Sequence, residues 1–153
     1  MSTRLSTISS RGAVLLLADP LATETRKHRE LQDLNALTDK IIGCAIEVHK
    51  ALGPGLLESI YEKALCYELE LKGIKYVQQA PVSIQYKGQS LGDLRLDLII
   101  EKAVVIELKA VDRMDSVFQA QLLSYLKLTG KRLGLLINFN VPVLKAGIQR
   151  IAL

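Results

Sequence analysis

Apolar residues recur at three- and four-residue steps from residue 34 onward, and this pattern predicts an amphipathic helix over 34–52. Gly53 and Pro54 follow directly, and both residues favour the end of a helix. A second segment, rich in Glu, Leu, Ala and Lys, predicts a helix over 56–71 that ends at Gly73. The regular part of the chain therefore begins with two helices.

Strand patterns follow the two helices. Runs of β-branched and alternating residues predict strands over 74–79 and 82–86, separated near Pro81, and then over 90–100 and 103–110. Asp115 or Ser116 is the expected N-cap of a third helix, which runs to residue 128 and stops at Gly130. A nearly all-apolar strand over 133–139 and a short one over 148–153 complete the order. This order predicts an α/β fold with a central mixed β-sheet flanked by helices.

Residues 1–33 differ in texture and are expected to form a poorly ordered N-terminal extension, which leaves 34–153 as a single domain. The apolar run at 13–18 is far shorter than the about 20 residues of a membrane helix. Cys44 and Cys66 lack the spacing of a zinc site or of a disulfide scaffold, which favours buried thiols in a reducing cytoplasm. The net charge of +4 permits a nucleic-acid partner without requiring one.

Charged residues interrupt the apolar strands at one place. Asp97 lies in the third predicted strand, and Glu107 and Lys109 end the fourth. Because alternate strand residues share a face, we expect these three side chains to lie together with Ile99 and Val105. The opposite face should then carry the neighbouring apolar residues, namely Leu96, Leu98, Ile106 and Leu108.

Two carboxylates about 5 Å apart repel by roughly 3 kcal/mol at an effective dielectric constant near 20. A divalent cation offsets that repulsion best, so Asp97 and Glu107 predict a metal site. The alternative is a salt bridge of Glu107 with Lys109, extended to Asp97 or Arg95. Arg95 is interpreted either as such a counter-ion or as a contact to a phosphate.

Residues 55–61, which read GLLESIY, match the signature that names the GxxExxY proteins. Asp97, the triplet 107–109 and the segment 135–140 also resemble that family, so that the resemblance covers about residues 34–153. The family is placed in the PD-(D/E)xK nuclease-like superfamily. The resemblance therefore implies a restriction-endonuclease-like core and magnesium-dependent cleavage of DNA.

The resemblance also implies roles for individual residues. Asp97 and Glu107 match the superfamily's metal ligands, the Leu108 carbonyl is a third candidate ligand, and Lys109 would orient water or neutralise phosphoryl charge. The proline that usually precedes the aspartate is replaced by Leu96. Hard oxygen ligands suit Mg²⁺ or Mn²⁺.

Two helices are expected to add residues to this site. Glu58 resembles the helical acidic ligand of RecB-like nucleases, and Tyr61 should project from nearly the same face. Without the resemblance, Glu58 would be interpreted as a stabiliser of the first helical turn. Gln121 and Tyr125 resemble the QxxxY element of the same nucleases and lie one turn apart.

The expected function is hydrolysis of DNA phosphodiester bonds by a metal-dependent nuclease. The alternative is a non-catalytic nuclease-fold module that binds nucleic acid or a protein. RNA is the alternative substrate, and the protein partners considered are a second copy of the chain or an operon-encoded protein. No exposed apolar stripe is expected to specify a dimer interface, and no membrane association is expected.

Overall fold

The computed structural model of this protein describes residues 19–153. The first part of the predicted extension, 1–18, including its apolar run, lies outside the described residues. Over the described part the elements are α1 (Pro20–Leu52), α2 (Glu58–Leu71), β1 (Tyr76–Tyr86), β2 (Gln89–Ile100), β3 (Val104–Lys109), α3 (Ser116–Thr129), β4 (Leu133–Asn138) and β5 (Ile148–Ala152). A short 3-10 helix, Leu144–Gly147, precedes β5. The predicted α/β class is confirmed.

The strands of the described residues form one mixed sheet in the order β1-β2-β3-β4-β5. β1, β2 and β3 pair antiparallel, β3 and β4 pair parallel, and β5 is antiparallel to β4. The parallel connection runs through α3, as a crossover between parallel strands requires. β3 is the central strand and is buried over 104–108. The charged residues at the end of β3 therefore follow directly after a segment that is buried in the core.

α1 begins at Pro20, which corrects the predicted start near residue 34. The carboxylate of Asp19 accepts the N–H of Leu21 at 3.0 Å and so caps the helix, and proline suits the first helical position. Residues 20–33 are thus helical where the sequence predicted a poorly ordered extension. Good helix formers are frequent in 20–33, but most of these side chains are exposed, so the apolar period used for the prediction is absent there.

The chain divides after Ala36 into two units, and the whole sheet belongs to the second unit, Leu37–Leu153. The boundary between 33 and 34 that the sequence suggested stays a prediction.

The sequence predicted a break near Pro81, and this prediction is wrong because β1 is one continuous strand. Pro81 pairs with Arg95 of β2, and an edge strand tolerates proline because one side of its ladder has no partner. The register of β1 shifts farther along, between Ile84 and Gln85, and the backbone is irregular at Gln79, which has a φ of 50°. There the ladder between β1 and β2 skips Gln79 and Asp97.

This irregularity also changes which side chains share a face. Leu96 packs in one buried cluster with Val105 and Leu122, whereas strict alternation predicted Leu96 on the face opposite Val105. The regular pairing of β2 with β3 extends only as far as Leu98 and does not include the adjacent Asp97. Because β2 leaves the regular ladder on both of its sides at Asp97, the alternation does not continue to Leu96.

α2 is apolar on two faces. Its buried residues are Tyr61, Leu65, Cys66 and Leu69. A second row at three- and four-residue steps faces outward and comprises Ile60, Tyr67 and Leu71 together with the N-cap residue Leu57; of these, Leu57 is 74%, Tyr67 61% and Leu71 62% exposed. The expectation that no exposed apolar stripe specifies a dimer interface stays a prediction.

Two further expectations, on membrane spans and on the cysteines, concern the described helices. None of them is both long enough and apolar enough to cross a membrane. Cys44 and Cys66 are buried free thiols, as expected.

Candidate metal centre

Asp97 and Glu107 lie together where β2 and β3 separate. The N–H of Leu108 donates to Oδ2 of Asp97 at 2.7 Å, and the N–H of Asp97 donates to Oε1 of Glu107 at 3.3 Å. Each carboxylate thus bonds to the backbone of the neighbouring strand at the point where the regular ladder has ended. Glu107 is only 7% exposed, because the apolar strand that precedes it lies in the core.

These surroundings disfavour the charged form of both carboxyl groups. Burial raises the pKa of Glu107 to about 8, the charge of Asp97 adds to the shift, and the Lys109 ammonium opposes it. Burial likewise raises the pKa of Asp97, although the hydrogen bond from the Leu108 N–H partly offsets this. A buried pair of this kind can ionise fully only when a further positive charge stabilises both members.

α2 supplies two more carboxylates to the same place. Glu58 and Glu62 are one helical turn apart and line a single cleft with Asp97. Partial burial and then the charge of Asp97 raise the pKa of Glu58, and Glu62 raises the pKa of Asp97. Four acidic side chains therefore repel one another around this cleft. The sequence argument missed Glu62, although its four-residue spacing from Glu58 was an available signal.

The irregular residue of β1 fixes Glu62. The side-chain amides of Gln78 and Gln79 donate to the two carboxylate oxygens of Glu62 at 2.9 Å and 2.6 Å. Gln79 also hydrogen-bonds to Asp97 and lowers its pKa. The break in β1 pairing therefore joins the acidic residue of the helix to the acidic residue of the strand.

Lys109 and Arg95 do not neutralise this acidic group by close ion pairs. The Lys109 Nζ lies 4.5 Å from the centroid of the Phe118 ring, and Arg95 donates to the Gln79 carbonyl at 3.2 Å. Within residues 19–153, neither Lys109 nor Arg95 has a carboxylate oxygen within 4.0 Å. The salt bridge considered as an alternative is therefore not formed in the described part of the chain.

The backbone of Leu108 faces the separated strand. Its N–H points toward β2 and holds Asp97. Because the N–H and C=O of one strand residue point to the same side, the Leu108 carbonyl is directed toward the gap between β2 and β3. A position in this gap suits the expected third metal ligand, a role that stays a prediction.

α3 brings Gln121 and Tyr125 toward the two strand carboxylates. Asp115 is the N-cap, since its carboxylate accepts the N–H of Val117 at 3.1 Å. Burial and then the charges of Glu107 and Asp97 raise the pKa of the half-buried Tyr125, and the neighbouring Gln121 opposes the shift. The phenol therefore responds to the charge of the acidic group. The roles that the QxxxY resemblance implies for Gln121 and Tyr125 stay predictions.

The loop after Lys109 is held by a buried amide. Asn138, only 2% exposed, accepts the N–H of Val111 at 3.1 Å and donates to the Val111 carbonyl at 2.9 Å. A second amide, that of Asn140, donates to Asp112 at 2.7 Å. The end of β4 thus fixes the course of the chain that leaves the candidate site.

The donor set fits Mg²⁺ or Mn²⁺ better than a metal that needs a closed protein cage. No group of three or more His, Cys, Asp or Glu side chains within residues 19–153 is close enough to hold a metal ion together. Mg²⁺ retains several waters and is typically held by one or two carboxylates plus substrate phosphates. The pair formed by Asp97 and Glu107 matches that requirement, and Glu58 and Glu62 line the same cleft as Asp97.

The chain is similar to a known protein family over most of its length. A family model described as the PD-(D/E)XK nuclease superfamily matches residues 35–151. A solved structure titled "Crystal structure of SSO0001" is similar over 61% of this chain and 47% of its own, at 22% identity and a TM-score of 0.43. The chain thus spans about half of that structure. The search of curated proteins found no match. Membership in the narrower GxxExxY family stays a prediction.

Proposed function

The chain belongs to the PD-(D/E)XK nuclease superfamily, and from this premise we propose that it is a metal-dependent nuclease that hydrolyses DNA phosphodiester bonds. Nucleases of this superfamily commonly use divalent metals, and a nuclease fold suggests binding of nucleic acid. The proposal for this chain is supported by its own acidic cleft, because the residues that surround it are of the types that the chemistry needs.

In the proposed centre, Asp97, Glu107 and the Leu108 carbonyl would hold Mg²⁺ or Mn²⁺, and Glu58 would add a ligand directly or through water. A bound divalent ion supplies Lewis-acid activation of a water and of the phosphoryl oxygen. Glu107, in its deprotonated form, would contribute negative charge for holding the ion. These assignments follow the hard oxygen character of all four donors.

The remaining candidate residues would act on the substrate. The Lys109 ammonium, whose charge lowers the pKa of both strand carboxyl groups, would neutralise charge that develops on the phosphoryl oxygens or orient the attacking water. Tyr125 and Gln121 carry hydrogen-bond donors on the same side of the sheet and would contact a nonbridging phosphate oxygen or a deoxyribose oxygen. The net charge of +4 favours approach to a polyanion despite the acidic cleft.

One observation carries the proposal: Asp97 and Glu107 are joined by backbone hydrogen bonds, are largely withdrawn from water, and lack a close ion pair within the described residues. Such an arrangement is unfavourable for stability alone. It is explained if a cation completes it during function.

Cleavage assays test the proposal. Linear and circular DNA are incubated with the wild type, with Glu107→Gln and with Glu47→Gln, an exposed control on α1, in Mg²⁺, Mn²⁺ or EDTA. We expect metal-dependent cleavage by the wild type and the control, and a loss of at least 100-fold in Glu107→Gln. Circular DNA separates internal cleavage from cleavage at ends, and a parallel RNA substrate separates the two nucleic acids. Metal-independent cleavage, or cleavage retained in Glu107→Gln, would contradict the proposal, and binding without cleavage would favour a non-catalytic module.

A further inference from the structure

Tyr61 lies in the core and not on the acidic cleft. Sequence spacing placed Tyr61 on nearly the same face as Glu58, but the ring is fully buried while Glu58 remains exposed. The difference arises because residues three apart on a helix point in directions about 60° apart. At the start of α2 this angle is enough to send one side chain to the solvent and the other to the core.

The hydroxyl of Tyr61 bonds to the loop that precedes Glu58. It accepts the N–H of Leu56 at 3.1 Å and donates to the carbonyl of Gly53 at 2.5 Å. Gly53 and Gly55 have φ values of 66° and 96°, a region that favours glycine. One buried hydroxyl thus closes the connection between the end of α1 and the start of α2.

α2 has no cap of its own that would fix its first residue. Leu57 occupies the N-cap position and makes no side-chain capping hydrogen bond. Helices whose N-cap lacks a side-chain acceptor lose a stabilising contact at their first turn, where Glu58 lies. The hydrogen bonds of the Tyr61 hydroxyl are therefore the side-chain contacts that hold the loop leading into this turn.

The ring of Tyr61 connects this loop to the strand that carries the other candidate residues. It stacks on Phe139, with ring centroids 4.5 Å apart and planes 6° from parallel. The N–H of Phe139 in turn donates to the carbonyl of Lys109 at 2.9 Å. Both rings are fully buried, so the path from Lys109 to the loop before Glu58 consists of packed side chains and backbone hydrogen bonds.

We infer that Tyr61 is a positioning residue, which sets the place of Glu58 relative to the end of β3 through its hydroxyl bonds and its stack on Phe139. It touches neither substrate nor metal. The inference rests on the proposed function, since it gives a purpose to the position of Glu58 in a metal centre. It also accounts for the spacing of the glutamate and the tyrosine in the segment GLLESIY: the tyrosine reaches back beneath the loop that begins the helix.

The test uses Tyr61→Phe, which removes the hydroxyl and keeps the ring, with Tyr67→Phe on the exposed face of the same helix as the matched control. The first readout needs no metal: amide hydrogen exchange in EDTA. We expect the Leu56 amide to exchange at least tenfold faster in Tyr61→Phe, with Leu108 unchanged and Tyr67→Phe like the wild type. Unchanged exchange at Leu56 would overturn the inference.

The second readout is Mn²⁺ affinity in a cycle with Glu58→Gln. Substitution of residues that orient a metal ligand typically weakens metal binding by about 10- to 100-fold. We expect Tyr61→Phe to weaken Mn²⁺ binding about tenfold when Glu58 is present and less than twofold when it is already Gln. Equal weakening in both backgrounds would indicate a general structural effect and would overturn the inference. If the wild type bound no Mn²⁺, the proposed function would fail, and the exchange result would still decide whether Tyr61 holds the loop.

Discussion

Replacing Glu107 with Gln should stabilise the metal-free protein, by an amount that grows with pH. Burial and the charge of Asp97 raise the pKa of Glu107 from 4.5 to about 8. In the folded state this group therefore keeps its proton over a range in which the unfolded chain releases it. Gln has nearly the same shape and carries no ionisable proton, so it retains the packing and removes the cost of ionisation.

The sign and size follow from proton linkage. A group whose pKa is higher in the folded state contributes its full stability below the unfolded pKa and loses it as pH rises toward the folded pKa. For Glu107 this loss runs from about pH 4.5 to about pH 8. Each pH unit in that range removes about 1.4 kcal/mol, so the wild type should lose about 3 kcal/mol between pH 4.5 and 7 that Glu107→Gln does not lose.

Urea unfolding followed by circular dichroism in EDTA, at pH 5, 6, 7 and 8, measures the free energy of unfolding of both proteins. Glu47→Gln controls for the loss of one exposed negative charge. We expect the difference between Glu107→Gln and wild type to increase steadily with pH, and the order to reverse when saturating Mg²⁺ binds the wild type alone. A difference that is constant or decreases with rising pH would refute the reasoning.

Three further perturbations test other parts of the structure. Since Glu107 must lose its proton to hold a cation, Mn²⁺ affinity by calorimetry should rise up to about tenfold per pH unit between pH 6 and 8, and a flat profile would count against its role as a ligand. Lys109→Met should lower the cleavage rate about 100-fold without weakening Mn²⁺ binding, because it removes a cation beside the carboxylates; a large loss of Mn²⁺ affinity would contradict this. Asn138→Leu should cost about 3 kcal/mol in urea unfolding because it leaves the N–H and C=O of Val111 unpaired, whereas Asn140→Ala, which removes one side-chain bond of a half-buried residue to Asp112, should cost less than about 1 kcal/mol; equal costs would show that the buried amide is not what holds the loop.

The periodicity of the chain was enough to predict most elements. α2 and α3 lie where apolar spacing and the stop residues Gly73 and Gly130 placed them, because those signals are local to the helix. Gly130 has the left-handed conformation expected at such an end, with a φ of 67°. The mixed sheet also follows from the order of the elements, since a helix between two apolar strands favours a parallel pair.

The features that the sequence did not reveal depend on tertiary neighbours. Continuous pairing across Pro81 requires knowledge that β1 is an edge strand. The place of Leu96 depends on the skipped pairing at Asp97, which strict alternation does not include. Helical spacing predicts the direction of a side chain only approximately, and for this reason Tyr61 was expected near the cleft. In the structure Tyr61 packs on Phe139 in the core.

For the candidate site, the sequence predicts Asp97, Glu107 and Lys109 on one face of adjoining strands. In the structure the Asp97 N–H donates to Glu107, whereas the Lys109 Nζ lies over the Phe118 ring. The contribution of Glu62 could have been proposed from its spacing to Glu58. Its fixation by Gln78 and Gln79 could not, since that contact joins a helix to an irregular strand.

Titration of Mn²⁺ into wild type and Glu107→Gln at pH 8, by calorimetry, tests the central claim most directly. The structure leads us to expect saturable binding to the wild type, with protons released on binding, and no measurable binding to Glu107→Gln. Equal Mn²⁺ binding to both proteins, or binding to neither, would contradict the assignment of the acidic cleft as a metal centre.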